Sequence, residues 1–503
     1  MTGERKWEGV VKGTAMAQLV KLFEFVLAAC WMLVVSRGLR PEAYGQYVFF
    51  STWVGIGGLL SSFGFGVTVL KFIPPLREKD PSSINPILRS LLSRRLAVLG
   101  VMAIGFWIGA RWVEEVFHQS GLQSFRGLTS MWLVTFGVVS LMTAFFTALL
   151  DMRTILRATA VTQLLSLGAV GIGYVSGRLT LALVLWVSFA TVGASAGWYL
   201  WKARAYFKRT ASIVEMGPLY QFGRSAWGVT LLTVAAGSSL DVLLLGAMGS
   251  GSLQIGYYGV AMLLLTKVPS LFHTGGGTIT LPIFSKAADT HWEEVGKAWR
   301  SYLKLVWWTI IPGMAFLGWH GSSLIHVLFG FSYEPSGKVF FVGLMAQGLA
   351  LVIPPEISMN VLYAIGKERL VLGLRGVALG LHLLVSCWLI PTHGAVGAVI
   401  GWGMATSLVA IWQYVVVQKW IKGGYPWGHS VRMTVVIGLA LAASSMGEMQ
   451  SWKSIVGAAA VYISAMGMCG VLFKPLNHED QQWLSQYAPA LATWTRWWGP
   501  SRT

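Results

Sequence analysis

Six ionisable side chains stand within or just inside the ends of long apolar runs, and their types divide them into two kinds of chemistry. Lys21, Lys267, Arg224 and Arg375 are cations able to hold an anion such as a phosphate, whereas Glu24 and Asp241 are carboxylates able to bind a proton or a metal cation. An ionisable group surrounded by hydrocarbon is costly, so such residues face a cavity or a partner and are functional candidates by default. Lys21 and Glu24 lie one helical turn apart on the same face. They either pair with each other or, in a wet cavity, leave Lys21 to dock an anion. Lys267 has no acidic residue within a turn and needs water, a partner from another helix or an anionic ligand. Asp241, in GSSLDVLLLGAM, suits a coupling site for a proton or cation, or a polar contact between helices. Arg224 and Arg375 stand about a turn inside predicted helix ends, where long side chains either snorkel to headgroups or attract phosphate at a cavity mouth.

Other chemistry is poorly supported. The sequence has no GxxxxGKS/T, HExxH, GxSxG or CxxC pattern and no loop large enough to house a soluble active site. Cys30, Cys387 and Cys469 each lie in an apolar run without metal-ligand spacing, so neither a disulfide framework nor a metal site is expected. No catalytic residue and no cofactor is expected either. His320, His326, Glu334 and Lys338 read as surface scatter, His382 as a histidine between helices, and Asp151, Arg153 and Arg157 as an intracellular clasp.

The elements that must position these residues follow from composition. Of the 503 residues, 55% are apolar and 12% are charged, about half the charged share of a soluble protein. Apolar runs long enough to cross hydrocarbon begin near Thr14, Gln46, Leu96, Leu128, Thr159, Leu179, Phe222, Gly256, Tyr302, Val339, Leu370, Ala395, Val431 and Ser454, which predicts fourteen spans. Runs of that length are helices, because barrel strands are half as long and alternate. The start of the chain reads as a retained first span, since its apolar stretch carries Lys21 and Glu24 and lacks a cleavage pattern.

An even number of spans places both termini on one side. Of the 38 lysines and arginines, 29 fall in the termini and alternate loops, seven (Arg37, Arg40, Arg111, Arg126, Arg178, Lys338 and Lys453) in the opposite loops, and Lys21 and Lys267 inside spans. The positive-inside rule then makes both termini cytoplasmic. Topology and anionic lipid thus account for the net charge of +18, leaving no call for a nucleic-acid partner.

A hinge is expected in the eighth span, where Pro269, Gly275, Gly276, Gly277 and Pro282 loosen the helix; Pro312, Pro354 and Pro355 predict further bends. Trp483, Tyr487, Leu491, Trp494 and Trp498 form a stripe that fits an interfacial amphipathic helix in the tail. An internal echo also appears. After the first span and again after the seventh, a short outer loop closes on Gly-x-Tyr, at Gly45 to Tyr47 and at Gly256 to Tyr258. Six spans separate the two, so they are parallel repeats, implying two bundles related by an axis along the membrane normal. The expected domains are a six-helix bundle over 1–215, a second over 216–422, two further helices over 423–474 and a cytoplasmic tail over 475–503.

RGLRPEAYGQY (Arg37 to Tyr47), LDVLLLGAMGSGSLQIGYYGVA (Leu240 to Ala261) and HGAVGAVIGWGMATSLVAIWQY (His393 to Tyr414) resemble segments of the polysaccharide flippases of the multidrug/oligosaccharidyl-lipid/polysaccharide exporter superfamily. The resemblance implies an all-α integral membrane protein, monomeric, in the inner membrane. It also implies a flippase that moves undecaprenyl-diphosphate-linked oligosaccharide to the outer leaflet by alternating access, with membrane lipids, a polysaccharide polymerase and glycosyltransferases as partners. The alternatives are a cation-coupled drug or metabolite exporter of the same superfamily and a membrane-embedded glycan polymerase or ligase. Carboxylates dominating a cavity would favour the exporter; a large outer loop would favour the enzyme.

Overall fold

The computed structural model describes residues 23, 25–207, 215–235, 237–269, 292–364, 367–421, 424–445 and 451–473. Lys21, Glu24, Gly275, Gly276, Gly277, Pro282 and the aromatic stripe of the tail lie outside them. The described residues are helical almost throughout, with no strand among them. This is the form that satisfies every backbone group within a segment when the surrounding solvent is hydrocarbon. The helices are α1 (Phe25–Gly38), α2 (Pro41–Leu60), α3 (Phe65–Lys79), α4 (Ile84–Val116), α5 (Arg126–Ala148), α6 (Met152–Val175), α7 (Leu181–Lys202), α8 (Gly217–Ala235), α9 (Ser238–Ala247) and α10 (Gly251–Met262). They continue as α11 (Trp292–Phe329), α12 (Pro335–Ala346), α13 (Gly348–Val352), α14 (Pro355–Ala364), α15 (Glu368–His393), α16 (Ala395–Ile421), α17 (Trp427–Ser444) and α18 (Trp452–Phe473).

Seven of these are by themselves long and apolar enough to cross a membrane, and α2 with α3, bent by 52° at the break between them, is long and apolar enough only as a pair. Thirteen of the fourteen predicted starts fall in a described helix or within two residues of one. The first, Thr14, lies outside the described residues. The chain is therefore a multi-pass membrane protein. Helix α11 runs unbroken through Pro312, while the chain breaks at Ile353 and Pro354 between α13 and α14.

By contacts the chain divides into two compact units, Met1–Gly259 and Val260–Thr503. This division follows packing, whereas the boundary at 215/216 follows the sequence repeat. In the first unit α5 is the central helix, packed by α2, α3, α4, α6 and α7. Phe145, Leu141 and Met142 on α5 are fully buried against Ile73, Leu88 and Leu91. Between α3 and α4 the hydroxyls of Ser82 and Ser83 donate to Asp80 and hold its carboxyl below the usual carboxylate range.

In the second unit α16 is central, packed by α11 to α15. Its glycines explain how. A Cβ at Gly397 would lie 2.5 Å from the Leu389 carbonyl oxygen and one at Gly403 2.6 Å from Ala346 Cβ, so α16 approaches its neighbours backbone to backbone. Lipid tails are as apolar as leucine, so helices in a bilayer associate by such close packing rather than by the hydrophobic effect. Here lies a physical reason for the small-residue run from Gly394 to Ala405. Helices α17 and α18 pack on each other and on α11, with Tyr462 donating to the Pro312 carbonyl at 2.9 Å.

Candidate functional site

The echoing glycines meet. Gly45 on α2 faces the Ser252 carbonyl of α10, and Gly256 on α10 faces the Pro41 carbonyl of α2; a Cβ at either position would collide with the opposing backbone. The contact is reciprocal: each glycine lies four residues after the carbonyl that receives the other. That is the pattern expected where two repeat-related helices cross on a local two-fold axis. The crossing lies at the ends of α2 and α10 predicted to face outward.

The loop between α4 and α5 closes over this crossing. Gln46 Nε2 donates to Ser120 Oγ at 2.8 Å, and Ser252 Oγ donates to Gln119 Oε1 at 2.7 Å. Glu114 holds the loop's shape by accepting from the backbone N–H groups of Gly121 and Gln123. Gly246 on α9 abuts Phe117 of the same loop. On one side of the first unit, side-chain hydrogen bonds are thus laid over a glycine crossing.

Asp241 precedes Gly246 on α9. It is fully buried on α9 and accepts a 2.6 Å hydrogen bond from Tyr258 on α10. Asp241 and Tyr258 therefore tie α9 to α10 two residues from Gly256, joining the acidic candidate to the repeat motif. The spacing of the sequence could have hinted at the crossing through its two Gly-x-Tyr copies, but not at the Tyr258 partner.

The cationic candidates are placed differently. Arg224 is exposed on α8, at the other end of the seventh predicted span from Asp241. Lys267 is exposed at the end of a π-helical stretch, Leu263–Lys267. A local widening of this kind frequently marks functional sites in helices. Pro269, two residues on, is buried in the helix. Arg375 is half-buried on α15; its Nη2 lies 3.4 Å from the Met359 sulfur of α14, and its Nε is buried without a hydrogen bond. A thioether is a weak acceptor, so this guanidinium keeps most of its capacity for an anion. A groove of about 390 Å³ between α4, α5 and α7, lined by Ile104, Trp107, Met131, Val134 and Phe189 among others, bears no charged side chain. It suits acyl chains rather than phosphate or sugar.

Two units of packed apolar helices, the first with a buried carboxylate beside a reciprocal glycine crossing, form a fold shared with solved membrane transporters. The chain superposes on lipid II flippase MurJ in an inward closed conformation with a TM-score of 0.70 at 11% identity, covering 90% of this chain and 98% of that one. It superposes on an inward-facing multidrug resistance MATE family transporter with a TM-score of 0.66 at 13% identity, over 80% and 98%. A superfamily transporter from Pyrococcus furiosus, whose binding pocket is described as reversed in polarity, gives 0.56 at 13%, over 82% and 95%. The family model for polysaccharide biosynthesis proteins matches residues 34–338, and the chain belongs to that family. No curated protein matches it in sequence.

Proposed function

We propose that the protein is a flippase that carries undecaprenyl-diphosphate-linked oligosaccharide from the cytoplasmic to the outer leaflet of the inner membrane, for synthesis of a surface polysaccharide. The observation that carries this reading is coverage. The lipid II flippase structure accounts for 90% of the chain and the MATE transporter for 80%, while the family match is to polysaccharide biosynthesis. The excess of basic residues in one set of loops supports cytoplasmic termini.

The cargo has a diphosphate, a polar glycan and a prenyl tail, and each needs a different environment. The diphosphate requires cations held out of bulk water; Lys21, Lys267, Arg224 and Arg375 are the candidates. The glycan requires a wet passage, and the tail stays in lipid. Alternating access moves the headgroup without making or breaking a bond. In this reading the Gly45–Gly256 crossing is the outward seal that parts when the passage opens to the outside, and Glu24 and Asp241 are the candidates for coupling to an ion gradient. A polymerase and glycosyltransferases would act on the two faces of the membrane.

Lys267→Glu is expected to abolish surface-glycan export in cells while the protein remains folded and inserted, because it places a carboxylate where the diphosphate should pass. Unchanged surface glycan would remove Lys267 from the path. Reconstitution in liposomes with a diphosphate-linked glycolipid tests the function itself: glycolipid should become reachable from the far leaflet. Failure with several glycolipids, together with proton-driven efflux of organic cations, would assign the protein to the exporters.

A further inference from the structure

The break between α2 and α3 has its own chemistry. We propose that Arg95 and Trp227 form a clamp that holds the second span bent, and that this span straightens when the clamp lets go. At the break Ser61 N–H reaches the Gly57 carbonyl at 3.0 Å, but Ser62 N–H closes on the Leu59 carbonyl instead of the one four residues back. The Gly58 carbonyl is taken by Arg95 Nη2 at 3.1 Å and Ser61 Oγ at 3.0 Å, and the Leu59 carbonyl also accepts from Trp227 Nε1 at 3.1 Å. Carbonyls freed at a helix break in a bilayer must find donors in the protein, and here α4 and α8 supply them.

Arg95 is the unusual member. It is 1% exposed, its Nη2 also donates to Ser140 Oγ on α5 at 3.0 Å, and its Nε has no partner. The guanidinium therefore has the carbonyl end of α2 in place of a carboxylate. The partial negative charge of a helix C-terminus favours a cation there.

The bend is also strained. Phe63 has φ +42° and Gly64 φ +70°, both left-handed, and the first of these is unfavourable for a residue with a Cβ. Around it, the Phe63 ring stacks on Trp227 with centroids 4.8 Å apart, and Gly64 is pressed against the Gly223 carbonyl of α8 so closely that a Cβ would collide. Straightening α2 into α3 would place the N–H groups of Ser62 and Phe63 under the Gly58 and Leu59 carbonyls. The Gly58 carbonyl already accepts twice, so Ser62 N–H would displace Arg95 or Ser61 Oγ, and moving Phe63 and Gly64 would break the ring stack on Trp227 and the packing on Gly223. Bent and straight spans therefore hold different contacts, and the position of α8 biases the choice between them.

The test is a distance measurement. Spin labels at Glu42→Cys and Lys79→Cys, in a background with Cys30, Cys387 and Cys469 replaced by serine, report the length of the bent pair by electron–electron double resonance in detergent and in nanodiscs. Straightening a 52° bend in helices rising 1.5 Å per residue lengthens this distance by roughly 5 Å. Arg95→Met should raise the straight population about tenfold or more, the range set by loss of a charge-assisted hydrogen bond. Trp227→Phe, which keeps the stacked ring and loses the donor, should raise it less, and Arg95→Lys should restore the bent form in part. Distance distributions unchanged from the parent in both Arg95→Met and Trp227→Phe would overturn the proposal. Should Arg95→Met fail to insert, an unchanged distribution in Trp227→Phe overturns it alone.

Discussion

Valine in place of Gly45 is expected to reduce glycolipid translocation by the reconstituted protein at least tenfold while leaving it inserted, and Gly256→Val should do the same. Either side chain drives into a backbone carbonyl of the opposing helix, at Ser252 or at Pro41, and neither carbonyl can rotate away as a flexible side chain would. The helices must separate, and the hydrogen bonds of Gln46 to Ser120 and of Ser252 to Gln119 separate with them. The seal then fails to close. A cysteine at Gln46 should accordingly react faster with a membrane-impermeant maleimide in these variants than in the parent. The two substitutions act on one crossing, so Gly45→Ala with Gly256→Ala should cost less than the sum of the single changes. Normal translocation and normal labelling in both valine variants would show that the crossing does not move during transport.

The second large effect is expected at Asp241. Its carboxylate is fully buried and takes a 2.6 Å hydrogen bond from Tyr258. Tyr258→Phe removes that donor and leaves a buried acceptor short, at a cost on the order of 1 kcal/mol for a hydrogen bond between helices in a bilayer and more where the acceptor is ionised. The protein should unfold at a lower temperature in detergent. Asp241→Leu should be worse, because Tyr258 then keeps only a long 3.4 Å hydrogen bond to the Ser238 carbonyl. Asp241→Asn separates structure from coupling: the amide oxygen still accepts from Tyr258, so thermal stability should stay near the parent. If Asp241 binds the coupling ion, the same variant loses the dependence of translocation on an imposed ion gradient. Gradient dependence that survives in a stable Asp241→Asn protein would leave Asp241 as a tie between α9 and α10.

Both predictions rest on residues visible in the sequence, but on contacts that were not. Gly45 and Gly256 stood out as an echo after the first and seventh spans, and the echo was enough to expect related bundles. It did not say that the copies touch, because similarity between two segments carries no information about the distance between them. Asp241 was conspicuous as a carboxylate in an apolar run and Tyr258 as the last residue of the echo, but nothing in the sequence joined the two.

Arg95 illustrates the opposite failure. Counted with the basic residues that precede the third span, it reads as part of a cytoplasmic loop, yet it is buried and directed at the end of α2. The break it caps was also missed. The run through Leu59 to Phe65 is apolar apart from Ser61 and Ser62, and hydropathy averaged over a span is insensitive to two serines. The prolines drew attention to other places, and of those Pro312 sits within a continuous helix.

The amino-acid sequence by itself determined that this is a helical, multi-pass membrane protein, with its spans close to where the structure has them. The reason is that hydrocarbon imposes a length and an apolar composition on every crossing, and both can be counted along one chain. Which helices cross at glycines, where a span breaks and which buried cation answers the freed carbonyls were decided only by the tertiary structure. Those features depend on backbones approaching within a few ångströms and on hydrogen-bond partners separated by tens or hundreds of residues, and no local pattern encodes such a meeting.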